Sequence, residues 1–173
     1  MLDLKALIRD IPDFPKAGIV FRDITPLLAN GPAWRESVDR LAEHYRDRVD
    51  VILGVESRGF LVGSAVAYAL GCGMVVVRKP GKLPAATFSA SYALEYGTDS
   101  LEIHQDAFIS GSRVLLVDDL LATGGTAEAA LTLVRQLGGQ VVGAAFLIEL
   151  TFLGGRQRLA PCEVLSLIQY ESE

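Results

Sequence analysis

The sequence predicts a single α/β domain built on a mostly parallel sheet covered by helices on both faces. Three observations carry that expectation. The chain has 173 residues, half of them hydrophobic, which suits one compact domain with a sizeable core. It contains short, continuous apolar runs, as in Val51-Ile52-Leu53-Gly54-Val55, of the kind found in strands buried on both faces. Between those runs lie segments of helical period, and strands alternating with helices favour parallel pairing.

Leu4, Leu7, Ile8 and Ile11 fall at helical spacing, so a short amphipathic helix is expected to open the chain and to end at Pro12 and Pro15. Gly18 to Asp23 reads as an extended segment leaving a turn. Asn30-Gly31-Pro32 has the composition of a helix start. Trp34, Val38, Leu41 and Tyr45 follow at steps of four, three and four, one face of that helix, and Trp34 is expected in the core. Val51–Val55 is the first buried strand, and a helix of small and apolar residues follows from Gly59 to Leu70. Gly73–Val77 is the next buried strand. Residues 79–91 are rich in Pro, Gly, Ser and Lys without a clear period, and the whole of 79–100 reads as a long irregular connection of the kind that forms lids or binding loops. Val114–Val117 is a third strand, leading to a helix from about Gly125 to Leu137 that Gly138-Gly139 closes. Val141 to Leu150 is a fourth, and Val164 to Ile168 a fifth.

Several functions are disfavoured. No apolar run approaches the roughly 18 residues a membrane span requires, and the first residues lack a secretory signal's basic and apolar regions, so the cytoplasm is expected. Net charge is −5, from 16 basic and 21 acidic residues, which argues against general nucleic-acid binding. A local basic group remains at Arg78, Lys79 and Lys82, able to meet an anionic small molecule. Cys72 and Cys162 match no metal-ligand spacing and read as buried, reduced thiols. His44 and His104 are too few for a zinc site; His44 is expected at the surface and His104 on a strand, neither catalytic.

The strongest local signal runs from Val114 to Thr126. An apolar strand meets Asp118 and Asp119, then Leu120-Leu121-Ala122-Thr123-Gly124-Gly125-Thr126, then a helix. Ligands of open α/β sheets bind at the carboxyl ends of strands, and a helix start with free N–H groups favours phosphate. The glycines permit close approach, and the threonines add hydroxyls. Carboxylates beside a phosphate would repel it unless they accept hydrogen bonds from a sugar's vicinal hydroxyls. A bland reading, in which two acids merely end a strand and cap a helix, leaves the glycine pair unexplained. The pattern is neither a Walker A nor a Rossmann glycine motif.

This segment resembles the phosphoribosyl-diphosphate signature of the type I phosphoribosyltransferases, and its continuation is similar to the adenine-using branch of that family. The likeness extends in order through Phe14-Pro15, Gly18–Ile24, Glu56-Ser57-Arg58-Gly59-Phe60, Arg78-Lys79, Gly81-Lys82-Leu83-Pro84, Ser91–Gly97, Leu101–His104 and Leu159-Ala160-Pro161, essentially the whole chain. It implies the family's fold, a central parallel sheet with a small hood over the active site, in one domain over residues 1–173. The hood and base-binding segment would lie at about 1–30, and a flexible catalytic loop at about 79–97.

The implied reaction transfers 5-phosphoribosyl from 5-phospho-α-D-ribose 1-diphosphate to adenine, giving AMP and diphosphate. Such chemistry must stabilise a leaving diphosphate, shield an oxocarbenium-like centre and hold the base in line. The resemblance implies Mg²⁺ as cofactor, held through the donor's diphosphate and ribose with no direct protein ligand assigned. It assigns Asp118 and Asp119 to the ribose hydroxyls, Ala122, Thr123, Gly124, Gly125 and Thr126 to the phosphate, and Arg58, Arg78, Lys79 and Lys82 to the diphosphate. Arg58, with Glu95, is also assigned to catalysis, and a non-proline cis peptide is implied near Glu56-Ser57. Val20, Phe21, Arg22 and Leu120 would form the adenine pocket, with the backbone of Val20 reading the base edge. Residues 83–97 resemble the hood that keeps water out. Within it Glu95 would exchange a proton with the base, and Tyr96 would seat the loop or the ribose. A homodimer is expected, and whether the basic group acts across it stays open; neither nucleic acid nor membrane is an expected partner. At the hood's tip, Ala85-Ala86-Thr87-Phe88 departs from the bulkier residues expected there.

Two rivals stand beside this reading. Phosphoribosyltransferases for oxopurines usually lack the Val-Phe-Arg-Asp and Leu-Glu-Tyr-Gly segments found here. A non-catalytic sensor of the same donor would add a DNA-binding module, for which this acidic chain has no segment.

Overall fold

A computed structural model describes residues 2–93 and 98–173. The centre is a five-stranded, all-parallel sheet formed by β3 (Val51–Val55), β4 (Gly73–Val77), β7 (Arg113–Leu121), β8 (Gln140–Leu150) and β9 (Val164–Tyr170), in the order β4-β3-β7-β8-β9. The helices α1 (Thr25–Ala29), α2 (Gly31–His44), α3 (Arg58–Leu70), α4 (Gly125–Gln136) and α5 (Gly155–Arg158) complete the domain, with two short strand pairs.

The apolar runs split by pleat, because successive side chains point to opposite faces. Ile52, Leu115, Val117, Ala145 and Leu147 pack with Leu27, Val38, Leu41, Val62 and Val66 from α1, α2 and α3, and with Tyr45 just past the end of α2. Leu53, Leu116, Ala144 and Phe146 pack on the other face with Ala127, Ala130, Leu131 and Val134 from α4. The expected sheet is therefore present, and the expected bounds of β3 and β4 are the observed ones, although β4, expected to be buried, is an edge strand of which only Val77 is fully buried.

Three expectations are corrected. The opening helix is only a 3₁₀ turn at Lys5–Leu7, after which β1 (Arg9–Ile11) pairs antiparallel with β2 (Phe21–Asp23). Leu4 still reaches the core, but pairing with a distant segment takes the backbone from residue 9 onward. The second correction concerns 79–100, which is not irregular throughout. β5 (Thr87–Ala93) and β6 (Thr98–His104) form an antiparallel hairpin whose Tyr92, Leu101 and Ile103 pack into the α4-side core. Backbone bonds between Arg78 and Glu102 tie it to the end of β4. Third, Trp34 is only partly buried and lines a surface groove between α2 and α3.

Asn30 caps α2 as its sequence suggests, its Oδ1 accepting from the Ala33 amide at 3.1 Å. His44 is exposed and contacts Glu163, and His104 ends β6. The cysteines are partly buried, free thiols whose pKa burial raises.

Candidate active site

The carboxyl ends of β3 and β7 form the floor of the site. After β3 the chain passes Glu56 and Ser57, joined by a cis peptide, and enters α3 at Arg58. The turn lies hard against β7, since a Cβ on Gly59 would sit 2.6 Å from Asp118 Oδ1 and 3.2 Å from the Val117 carbonyl oxygen. Only glycine allows that approach. At the end of β7 the chain turns through Ala122 and Thr123 to Gly124, whose φ of +84° lies in the left-handed region that glycine adopts freely. There α4 begins, with its unpaired N–H groups at the turn.

A cavity of about 480 Å³ opens over this floor. Its lining includes the Glu56–Arg58 loop, Lys79, Tyr92, both aspartates and the turn from Ala122 to Thr126. A second cavity of about 370 Å³ adjoins it, walled by Ile19, Val20, Phe21, Arg22, Leu150, Phe152 and Leu153 among others. Arg58, Leu120, Ala122 and Thr123 line both. The polar residues around the first and the apolar residues around the second define two compartments with a common wall.

Electrostatics distinguish the acids. Burial raises the pKa of Asp118 well above the ordinary carboxylate value, and the neighbouring Asp119 charge adds to it. Burial also raises Asp119, against the opposing pull of Arg58. Arg58 Nε lies 2.8 Å from Asp119 Oδ2, yet that buried oxygen accepts no aligned hydrogen bond. The Arg58 guanidinium also stands 4.8 Å from the Phe21 ring centroid, so one side chain reaches both compartments.

The basic group is held by acids that the sequence reading did not single out. Arg78 and Lys82 reach Glu56 Oε2 at 3.3 and 3.2 Å, and the Lys79 amide donates to the same carboxylate. Lys79 Nζ meets Asp99 and, at 3.1 Å, the Tyr92 hydroxyl. Among the three cations only Lys79 lines the first cavity. The Arg22 side chain is 95% buried, pairs with Asp10 at 2.6 Å and covers the Tyr170 ring at 3.9 Å, so its charge is spent on the frame of the pocket. Glu95 and Tyr96 lie outside the described residues. Tyr92, Leu150, Phe152 and Leu153 were missed. The available sequence signal for the last three was Phe152-Leu153, an apolar pair just past the apolar run that ends at Leu150.

Fold and site together define a transferase that handles a sugar phosphate at the carboxyl edge of a parallel sheet. A family model for the phosphoribosyl transferase domain matches residues 27–162. An adenine phosphoribosyltransferase of Geobacter metallireducens is 57% identical over 171 residues, covering 98% of this chain and 100% of its own length. The crystal structure of adenine phosphoribosyltransferase from Thermoanaerobacter pseudethanolicus superposes with a TM-score of 0.94 at 56% identity, over 97% of this chain and 98% of that one. The Saccharomyces cerevisiae enzyme, complexed with D-2,5-dideoxy-2,5-imino-altritol 1,6-bisphosphate and adenine, superposes at 0.90 with 44% identity, over 95% and 96%. The chain belongs to the phosphoribosyl transferase family, in its adenine phosphoribosyltransferase branch.

Proposed function

We propose that the two compartments divide one reaction between them: 5-phosphoribosyl passes from 5-phospho-α-D-ribose 1-diphosphate to adenine, releasing AMP and diphosphate in purine salvage. The observation that carries this reading is the common wall of the two cavities. A 5-phosphate on the N–H groups of 122–126 sets the ribose over Asp118 and Asp119, which accept from its hydroxyls. A planar base between Phe21 and Leu120 then presents its ring nitrogen toward the same wall, and the anomeric carbon falls between them. Arg58, at that wall, faces the leaving diphosphate with a guanidinium suited to its oxygens. Arg78, Lys79 and Lys82 supply further cations once they exchange Glu56 and Asp99 for diphosphate oxygens.

The crowded Asp118–Asp119 pair, with its unsatisfied buried oxygen, suits a donor that arrives with a divalent cation. Among the described residues no group of three or more His, Cys, Asp or Glu side chains converges on a point. The resemblance implies that Mg²⁺ would be held through the donor's diphosphate and ribose, with Asp118 and Asp119 binding the hydroxyls. When bound, it neutralises charge on the leaving diphosphate.

The resemblance assigns Glu95 the proton exchange with the base. Glu95→Ala should lower kcat far more than donor affinity, and an unchanged kcat would remove it from the mechanism. Free, partly buried thiols at Cys72 and Cys162 suit the reducing cytoplasm. A homodimer is supported by the groove between α2 and α3, where Leu61 and Tyr68 are 50% and 90% exposed. Arg35 and Asp39, one turn apart on its rim, can face the same pair inverted about a two-fold axis.

The deciding experiment follows product from labelled adenine, hypoxanthine and guanine with the donor and Mg²⁺. AMP from adenine alone is expected. Turnover of an oxopurine would overturn the base pocket, and donor binding without any product would point to a sensor.

A further inference from the structure

Glu149 is the least solvent-exposed acid among the described residues, 2% exposed, one residue from the end of β8 and opposite Leu121 of β7. A carboxylate there is costly unless its oxygens are satisfied. Arg156 satisfies them with two bonds, Nε to Oε1 at 2.9 Å and Nη2 to Oε2 at 2.5 Å, and the Ser166 hydroxyl donates to Oε2 at 2.6 Å. Arg156 Nη1 also donates to the Val164 carbonyl at 2.6 Å. Burial alone would raise the pKa of Glu149, but these donors bring it below the usual value, so the pair is ionic.

The six residues between the partners build both compartments. Leu150, Phe152 and Leu153 wall the apolar cavity. Gly155 presses on the phosphate turn: a Cβ there would stand 2.3 Å from the Ala122 carbonyl oxygen, and one on Gly124 would stand 2.9 Å from the Gly155 carbonyl oxygen. The ion pair closes the base of this short loop and ties it to β8 and β9.

We propose that Glu149 and Arg156 are positioning residues for the transfer reaction, a clamp that sets the base wall and the phosphate turn together. Neither lines either cavity. The inference rests on the assignment of base and phosphate to the two cavities.

The test compares Glu149→Gln and Arg156→Lys with the native enzyme, well below each melting midpoint, reading KM for adenine, KM for the donor, kcat and Tm. Glu149→Gln should raise both KM values about tenfold, because small displacements of positioning groups are expensive in this kind of site. Arg156→Lys keeps the charge but loses the fork, and should show a smaller rise in both. Asp50→Asn is the control: its bidentate pair with Arg113 lies at the opposite end of β7, and it should lower Tm with both KM values unchanged. Lowered Tm with unmoved KM in the Glu149 and Arg156 variants would overturn the clamp, as would a rise confined to one substrate. If Glu149→Gln fails to fold, Arg156→Lys decides by the same readings. Phe21→Ala, run in parallel, should raise the adenine KM alone; no change there would overturn the pocket assignment and the clamp with it, whereas the expected rise beside an inert Glu149→Gln would overturn the clamp only.

Discussion

Asp118 is held where the folded chain works against its charge, since burial and the Asp119 carboxylate both favour its protonated form. Its folded pKa lies above the unfolded one, so its unfavourable contribution is absent below the unfolded value and grows as pH rises toward the folded one. Asp118→Asn should therefore raise Tm at pH 7–8, and that gain should vanish as melts are taken down to about pH 4. Replacing both aspartates by asparagine should weaken donor binding by calorimetry, by roughly 1.5–3 kcal/mol for each charged hydrogen bond lost; full affinity would refute the ribose assignment. These residues were legible in the sequence because a double acid before Thr-Gly-Gly has few other uses. Glu56 and Asp99 were not, because a lone acid carries no sign of which cation it will meet.

The buried strands β3 and β8 were legible almost to the residue, since a continuous apolar run has no polar face to lose. β7 runs on through Asp118 to Leu121 because its ladder with β8 continues there, which composition does not reveal. The β1–β2 and β5–β6 pairs escaped for a related reason. In the first, a helical spacing of apolar residues coexists with pairing across a turn; in the second, polar surroundings hide the alternation of Phe88, Ala90 and Tyr92. The α1 helix, five residues long, offers too short a pattern to read. Where the sequence marks an element end chemically, the cost of removing it can be stated. Asn30→Ala should cost about 1 kcal/mol of stability in denaturant titration, with kinetic constants unchanged. Gly124→Ala should cost ~1–2 kcal/mol for its left-handed backbone, and more where its Cβ meets Gly155; donor KM should rise with it.

The acidic balance of the chain sets a background that repels its anionic donor, so the cations lining the first cavity, Arg58 and Lys79, have to act locally. The groove between α2 and α3 has no such duty. Tyr68→Glu should shift sedimentation from dimer to monomer, and a wild-type chain that sediments as a monomer would remove the homodimer. The groove is not legible in the sequence: Trp34 packs against the core yet stays partly exposed at its edge, and the spacing of a helix face does not tell a fully buried position from one at the rim. The sheet, by contrast, has two ends with different work. At one, Arg113 and Asp50 lock β7 to the turn before β3, and Arg113's hydrogen bonds hold the Asp50 pKa at about 2, so this lock loosens only as pH falls from about 4 toward 2. At the other, the same strand delivers the aspartates and the turn from Ala122 to Thr126. Selection or engineering can therefore adjust heat tolerance at the fastened end while the chemistry at the far rim drifts on its own schedule, and a breeder of hardier variants should begin at residues 47–50 and 113.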